Sequence, residues 1–545
     1  MGYEKNGYRE YDGIYDSTIE WNPLPRNTDF TTYCIFQQQN WENVALVDSI
    51  TGGKVTYGEL KTRVLSISSG LAQKGVKKGD VVMICMPNSI HWPVLFHGTL
   101  HSGAIVTTCN PLSTFNDISR QAKDSGAAYL ITVPELWEKV RGLNLPLVLN
   151  DIDGLGVRKP FDGPPPLARL SVLMGADPRR APRVKFQETD IAVLLYSSGT
   201  TGPSKGVILT HLNCVAGVNH SFALRDVVEG IYIVGIIIPL FHVMGLIPVC
   251  NYALRRGSQL IIFPKFDLDL MLGAVQRYKI THLGLVPPIL VLLAKSPVVD
   301  KYDLSSLKLI GYGAAPAGDV TGVSKRIKDV ILRQGYGMTE TAAAATGVRP
   351  GDFDFANKYN SCGHLGCYIQ AKIVDVSTGK PLPPNQEGEL WLRGLHIMAG
   401  YWKNEKATAE TIDKDGWLHT GDLAKIDDNG FVYIVDRLKE LIKYKGFQVA
   451  PSELERVILN HPEIMDTAVI PFPDEEAGEI PVAFIVKRTG STLTAADVIQ
   501  FVADQVSPYK KVRRVVFISS IPKLESGKLL RRDLKKVLTS STSKL

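Results

Sequence analysis

At 545 residues the chain exceeds the ~100–200 typical of one domain and has room for more than one core. A hydrophobic content of 45% and a charged content of 21% are those of an ordinary globular protein and exclude a disordered or fibrous chain. The net charge of +6 is unevenly placed: from Lys510 onward, eleven Lys/Arg stand against only Glu525 and Asp533. Without aromatic interleaving or a nucleic-acid motif, that excess suits a polyanionic cofactor or a solvated basic face rather than nucleic acid.

In chain order, Glu4, Lys5, Arg9 and Glu10 replace the apolar core of a secretory signal, and Asn6 stands where a myristoylation signal needs Ser or Thr. Residues 1–50 read as an irregular lead-in followed by an amphipathic segment. Leu60, Val64, Ile67 and Leu71 recur at helical spacing, Gly75 ends that helix, and a strand follows over 81–86. Pro87-Asn88 breaks it before another helix ending near Gly103. Strands alternating with helices on this spacing predict a doubly wound, parallel α/β sheet. Residues 155–190, rich in Pro, Gly and Arg, read as a long surface connection.

The most informative stretch comes next. The apolar run Ile191 to Leu195 predicts a buried strand that delivers Tyr196-Ser197-Ser198-Gly199-Thr200-Thr201-Gly202-Pro203-Ser204-Lys205-Gly206. Its glycines admit close backbone approach, and its hydroxyls and lysine supply donors to phosphate oxygens. The order of Lys205 and its neighbours does not match the loop of P-loop NTPases. Residues 231–250 carry no formal charge and are long enough to span a bilayer. Pro239, Pro248, Gly235, Gly245 and His242 interrupt them, so a buried strand, a turn and a core helix are expected.

Alternation then resumes: strand 259–263, helix 268–278, strand 281–286, and strand 308–312 running into Gly313-Ala314-Ala315-Pro316. Ile331 leads to Gln334-Gly335-Tyr336-Gly337-Met338-Thr339-Glu340. From Ile369 short strands with Gly and Asp turns, including Gly388-Glu389-Leu390-Trp391-Leu392-Arg393-Gly394, suggest a β-rich subdomain. Asp422 and Arg437 sit near strand ends, where an acidic and a basic side chain can hold ribose hydroxyls. Lys443, Lys445, Gly446 and Gln448 precede a helix over 453–459, and Lys528 lies on a Ser-Gly turn. The seven cysteines are odd in number and mostly scattered. Cys362 and Cys367 are followed by no second pair at zinc spacing, so neither a disulfide framework nor a zinc site is expected. Ser543-Lys544-Leu545 is a peroxisomal address, to be read by the import receptor.

Taken in this order, the motifs resemble those of the adenylate-forming acyl-CoA synthetases, close to the plant 4-coumarate–CoA ligase-like group, over roughly residues 40–540. The resemblance implies a large N-terminal adenylation domain (1–437) of doubly wound sheets with a β-rich subdomain. It implies a small, mobile α+β C-terminal domain (438–545) and a hinge near Lys439. It implies two half-reactions: a carboxylate and ATP give acyl-adenylate and pyrophosphate, then the CoA thiol displaces AMP.

By the same resemblance, Ser197, Ser198, Gly199, Thr200, Thr201 and Lys205 hold phosphates, while Ala314, Gln334, Gly335 and Thr339 wall the adenine and adenylate. Thr200 and Glu340 are Mg²⁺ ligands. Asp422 and Arg437 bind ribose, and Lys439, Lys443 and Gln448 contact AMP. Lys528 contacts the carboxylate and α-phosphate, Lys265, Lys445 and Gly446 contact CoA, and His242 lies at the acyl pocket and thiol tunnel. Met244, Tyr312 and Gly313 complete the acyl pocket. ATP, Mg²⁺ and CoA are thus the implied cofactor and co-substrates.

The chain departs from the hydroxycinnamate-specific pattern at Val243 and Met244, where a tyrosine is usual, and in the Trp391 box. With Leu246 and Ile247 these residues predict an apolar acyl pocket, suited to a fatty, cyclopentenone-type, cinnamic or benzoic acid. Alternatives are 4-coumarate–CoA ligase proper, a luciferase-like oxygenase, a non-catalytic adenylate-binding protein and a membrane scaffold resting on 231–250.

Overall fold

A computed structural model describes residues 7–19, 23–197, 204–223, 232–313, 321–348, 361–523 and 529–542. Two large sheets form the body. In the seven-stranded sheet, Ile331–Gln334, Leu309–Tyr312, His282–Leu285, Ile233–Ile236, Gln259–Ile262 and Val44–Asp48 run parallel, with Lys54–Thr56 antiparallel at one edge. The eight-stranded sheet is parallel from Ile191–Ser197 through Ile105–Thr108, Val81–Cys85 and Ala127–Thr132 to Leu147–Leu149 and Ala168–Arg169. Helix Tyr57–Gln73 packs on the Val44–Asp48 and Lys54–Thr56 edge of the seven-stranded sheet and against helix His91–His101, which packs on Ile105–Thr108. The first is started by a reciprocal cap, with Thr56 Oγ1 accepting from Glu59 N and the Glu59 carboxylate accepting from Thr56 N. The second is buried on nearly every side, consistent with its lack of a polar face.

Strand Ile191–Ser197 does not continue into a helix. It pairs antiparallel with Lys205–Thr210, and the last described partners of that pair are Ser197 and Lys205. The uncharged stretch forms the strand Ile233–Ile236, a turn through His242 and the wide-turn helix Gly245–Asn251, fully buried around Pro248. Among the described residues no helix is long and apolar enough to cross a membrane.

The β-rich subdomain is a six-stranded antiparallel sheet of Tyr8–Arg9, Ile14–Asp16, Ile369–Val374, Gly388–Gly394, Leu418–Ile426 and Val432–Arg437. The lead-in therefore supplies the edge strand and its neighbour where irregular chain was expected. Strands of two and three residues carry no readable alternation, and only pairing with a distant strand defines them. The connection 155–190 also carries a short strand, Ala168–Arg169, and a helical turn, Leu170–Leu173.

The small C-terminal domain has its own five-stranded sheet: Phe447–Val449, Ile442–Tyr444, Gly478–Lys487, Ile464–Asp474 and Arg514–Phe517. Helices Pro451–Leu459 and Ala495–Ala503 close one apolar core around Ile442, Leu454 and Val498. Arg531–Thr542 closes another around Phe484 and Leu538. All seven cysteines are buried free thiols.

Candidate active site

The carboxyl ends of Leu309–Tyr312 and Ile331–Gln334 open onto a cavity of about 870 Å³, the usual place for a ligand in a doubly wound sheet. Four groups of residues meet there: Ser197 and Lys205; Gln334, Gly335, Thr339 and Glu340; Asp422, Arg437 and Lys439; and His242, Met244, Tyr312 and Gly313.

At the hairpin mouth, the Lys205 ammonium lies 4.3 Å from the centroid of the Tyr401 ring. The Tyr401 hydroxyl donates to Glu340 Oε1 at 2.9 Å. Burial and the neighbouring Glu340 carboxylate push that hydroxyl up, so it stays a donor. Glu340, only 5% exposed, thus has one oxygen held in place on the cavity wall. Such a buried, oriented carboxylate fits a hard divalent cation, which prefers oxygen ligands.

Across the cavity, Asp422 and Arg437 are partners on adjacent antiparallel strands, with Arg437 Nε 3.4 Å from Asp422 Oδ1. Tyr336 Oη donates to Asp422 Oδ2 at 2.6 Å. Burial pushes the Asp422 carboxyl up, while Arg437 and the Tyr336 hydroxyl pull it back. Glu389 shapes the turn ahead of it. Its Oε1 accepts from Gly421 N and its Oε2 from Trp391 Nε1, both at 2.9 Å. The Trp391 ring stacks on His419 at 3.8 Å. The box that departs from the hydroxycinnamate pattern therefore holds the loop that leads into Asp422.

On the acyl side, Met244 N donates to His242 Nδ1 at 3.3 Å, which orients the imidazole. A second cavity of about 390 Å³ shares His242, Val243, Thr339, Ser204 and Asp124 with the first. Leu246 and Ile247, expected in the acyl pocket, are instead wholly buried in the main core, because their helix turns them away from the cavity.

Four residues expected near AMP or CoA sit on a hairpin away from the main cavity. Lys443, Lys445, Gly446 and Gln448 are exposed, and Lys445 pairs with Glu476 at 2.5 Å. Gln448 lines a separate cleft of about 660 Å³ with Tyr433, Arg456, Tyr509 and Lys510. Lys265 is exposed beyond the strand Gln259–Ile262. Ser198, Gly199, Thr200, Thr201, Ala314, Lys528, Ser543, Lys544 and Leu545 lie outside the described residues.

Sequence reasoning missed Tyr336, Tyr401 and Glu389 as positioning residues. Tyr336 lies inside the motif 334–340, and Glu389 begins the Trp391 box, so both stood beside recognised signals. Nothing local marks Tyr401, which meets Glu340 from 61 residues away.

Two parallel-sheet layers, a β-rich subdomain and a separate small domain over one polar cavity define the architecture of adenylate-forming enzymes. The chain belongs to the AMP-binding enzyme family: residues 36–402 match the AMP-binding enzyme domain and residues 453–528 the AMP-binding enzyme C-terminal domain. It is 42% identical to a probable CoA ligase of Humulus lupulus, with 98% of each chain covered. It is 43% identical to a peroxisomal OPC-8:0-CoA ligase of Arabidopsis thaliana, with 95% of each covered. Its fold superposes on ATP-bound MatB of Rhodopseudomonas palustris with a TM-score of 0.83 at 26% identity, covering 94% of this chain and 99% of that one. The chain is accordingly an AMP-forming acid–CoA ligase that works through an acyl-adenylate.

Proposed function

We propose that the protein is a peroxisomal ligase that activates a carboxylic acid with a large apolar body. The observation that carries this reading is the single cavity shared by Lys205, Glu340, Asp422, Arg437, His242 and Met244. Ser197 and Lys205, with Ser198, Gly199, Thr200 and Thr201, receive the β- and γ-phosphates. Ala314, Gln334, Gly335 and Thr339 wall the adenine, and Asp422 with Arg437 takes the ribose. Glu340 and Thr200 would hold Mg²⁺, which would neutralise developing charge on the phosphates.

The acid is already ionised at neutral pH, so adenylation needs no general base. Its carboxylate attacks the α-phosphorus, pyrophosphate leaves, and Lys528 steadies the charge that gathers there. The position of the 442–449 hairpin away from the cavity is that expected of an adenylating arrangement. Rotation of the 438–545 domain about Lys439 would then bring Lys443, Gln448, Lys445 and Gly446 in, with Lys265 at the CoA nucleotide. The second cavity, meeting the first at His242, gives the CoA thiol a route to the acyl carbonyl. Ser543-Lys544-Leu545 supports recognition by the peroxisomal import receptor, and the Arabidopsis relative is itself named a peroxisomal ligase.

The acyl chamber is assigned to the sheet face beneath Tyr312. A Cβ placed on Gly311, which lines the main cavity, would meet Leu309 Cδ2 at 3.9 Å and Leu283 O at 4.0 Å, ordinary van der Waals contact, so a side chain fits there without displacing a neighbour. Pyrophosphate release should be followed with ATP, Mg²⁺ and CoA over fatty, cinnamic, benzoic and cyclopentenone acids. We expect turnover with an apolar-bodied class. Gly311→Val should lower kcat/KM for bulky acids more than about tenfold while leaving the KM for ATP unchanged. An acid profile unmoved by Gly311→Val would remove the chamber assignment.

A further inference from the structure

Ser197 and Lys205 line the main cavity, and the next register partners behind them are Tyr196 and Gly206. A Cβ on Gly206 would lie 3.1 Å from Trp402 Cβ and 3.2 Å from Tyr196 Cζ and Oη, closer than ordinary van der Waals contact. The Tyr196 phenol, Gly206 and Trp402 are therefore packed against one another. Trp402 N donates to Gly206 O at 2.7 Å, and the residue before it, Tyr401, carries the Lys205 ammonium over its ring.

Three polar contacts tie this layer to the last turn of the helix Phe115–Ser125. Tyr196 Oη donates to Asp124 Oδ2 at 2.5 Å, and the Asp124 carbonyl accepts from Trp402 Nε1 at 3.1 Å and Lys403 Nζ at 3.0 Å. Burial and the Asp124 carboxylate push the Tyr196 hydroxyl up, so it stays a donor. The helix is itself well anchored. Thr114 caps its start, Gly126 ends it in the left-handed region, and Gln121 Nε2 donates to the Thr108 carbonyl at 2.7 Å and to Thr107 Oγ1 at 3.2 Å. Asp124 is exposed, yet it sits at a fixed point on the edge of both cavities. Its side chain has one effect the packing does not supply: it sets the direction of the residue that precedes Ser197.

We infer that Tyr196 and Asp124 are positioning residues for adenylation, their hydrogen bond holding Ser197 and Lys205 where the β- and γ-phosphates of ATP are received. The inference rests on the phosphate reading of Ser197 and Lys205 above and refines it. Neither residue takes part in the bond making. AMP carries neither of those phosphates, so its binding does not depend on this contact.

The test compares ATP and AMP, each with Mg²⁺, by calorimetric titration of the full chain. We expect Y196F to raise the Kd for ATP at least roughly fivefold, the scale of one hydrogen bond, while the Kd for AMP stays within about twofold. D124A and D124N remove the same charge and differ in the acceptor, so D124N should bind ATP more tightly than D124A by a similar factor. In the D124A background Y196F should have no further effect, because the two side chains act as one contact. An unmoved ratio of ATP to AMP affinity in Y196F would overturn the inference. Equal weakening of both nucleotides in Y196F with a native thermal melt would do the same, as would additive losses in the double variant. K205A separates the failures: an unmoved ratio there removes the phosphate reading and the inference with it. A ratio that moves in K205A but not in Y196F removes only the role of Tyr196 and Asp124.

Discussion

Asp422 draws its character from its neighbours. At 5% exposure an isolated carboxylate would be costly, and Arg437 with the Tyr336 hydroxyl compensates while leaving the group on the cavity wall. We expect Asp422→Ala to raise the KM for ATP by about tenfold to hundredfold, the scale of one hydrogen-bonded charged contact, with the thermal melt little changed. Steady-state kinetics with varied ATP decides it, and an unchanged KM would remove Asp422 from nucleotide binding. The pair was legible in the chain because an acid and an arginine stood near strand ends, fifteen residues apart. The third partner was not: Tyr336 meets Asp422 from 86 residues away, across two sheets.

At the scale of elements, one arginine ties three together. Arg531, at the start of the helix Arg531–Thr542, reaches Glu440 at 2.8 Å and Glu455 on helix Pro451–Leu459 at 2.6 Å, and also donates to the Val469 carbonyl. Burial pushes the Glu455 carboxyl up and Arg531 holds it back. Arg531→Met would strand Glu455, whose side chain is 8% exposed, without its cation. A loss of about 3–5 kcal/mol follows for breaking one side of a buried ion pair, measurable by urea unfolding. An effect below about 1 kcal/mol would show the cluster to be solvated. The opposite end of the domain has a local cause: Lys445 and Gly446 both adopt positive φ, as a two-residue hairpin turn demands.

At the scale of the molecule, the body is sensitive to acid through histidines that burial keeps neutral. His97, His211 and His220 are each pushed down to about 4 by burial, and His396, stacked near His220, is pushed well down by burial too. In each case the unfolded chain binds a proton at higher pH than the folded one. The stability they contribute is therefore complete above pH 6.5 and is lost as pH falls from 6.5 toward 4. The slope approaches 1.4 kcal/mol per pH unit for each histidine that titrates only on unfolding. Urea midpoints at pH 7.5 and 5.5, above the ordinary carboxylate range, should differ clearly. His97→Gln should shallow the dependence, and coincident midpoints would show these imidazoles to be reachable by protons in the folded state.

The sequence by itself determined the class of fold and the two half-reactions, and it named many of the residues that line the main cavity. Those features are carried by local signals: apolar strands ending in glycine and hydroxyl residues, helical spacing with caps, and short ordered motifs. Tertiary structure alone decided which of those residues share one cavity and which stand apart on the 442–449 hairpin. It also paired the lead-in with the edge of a sheet, turned Leu246 and Ile247 into the main core and set His282 and Arg333 on the wall of the main cavity. The physical reason is that side-chain direction in a sheet depends on register with partner strands far away in the chain. A residue's neighbours along the backbone report what it can do chemically, and only its neighbours in space decide toward what.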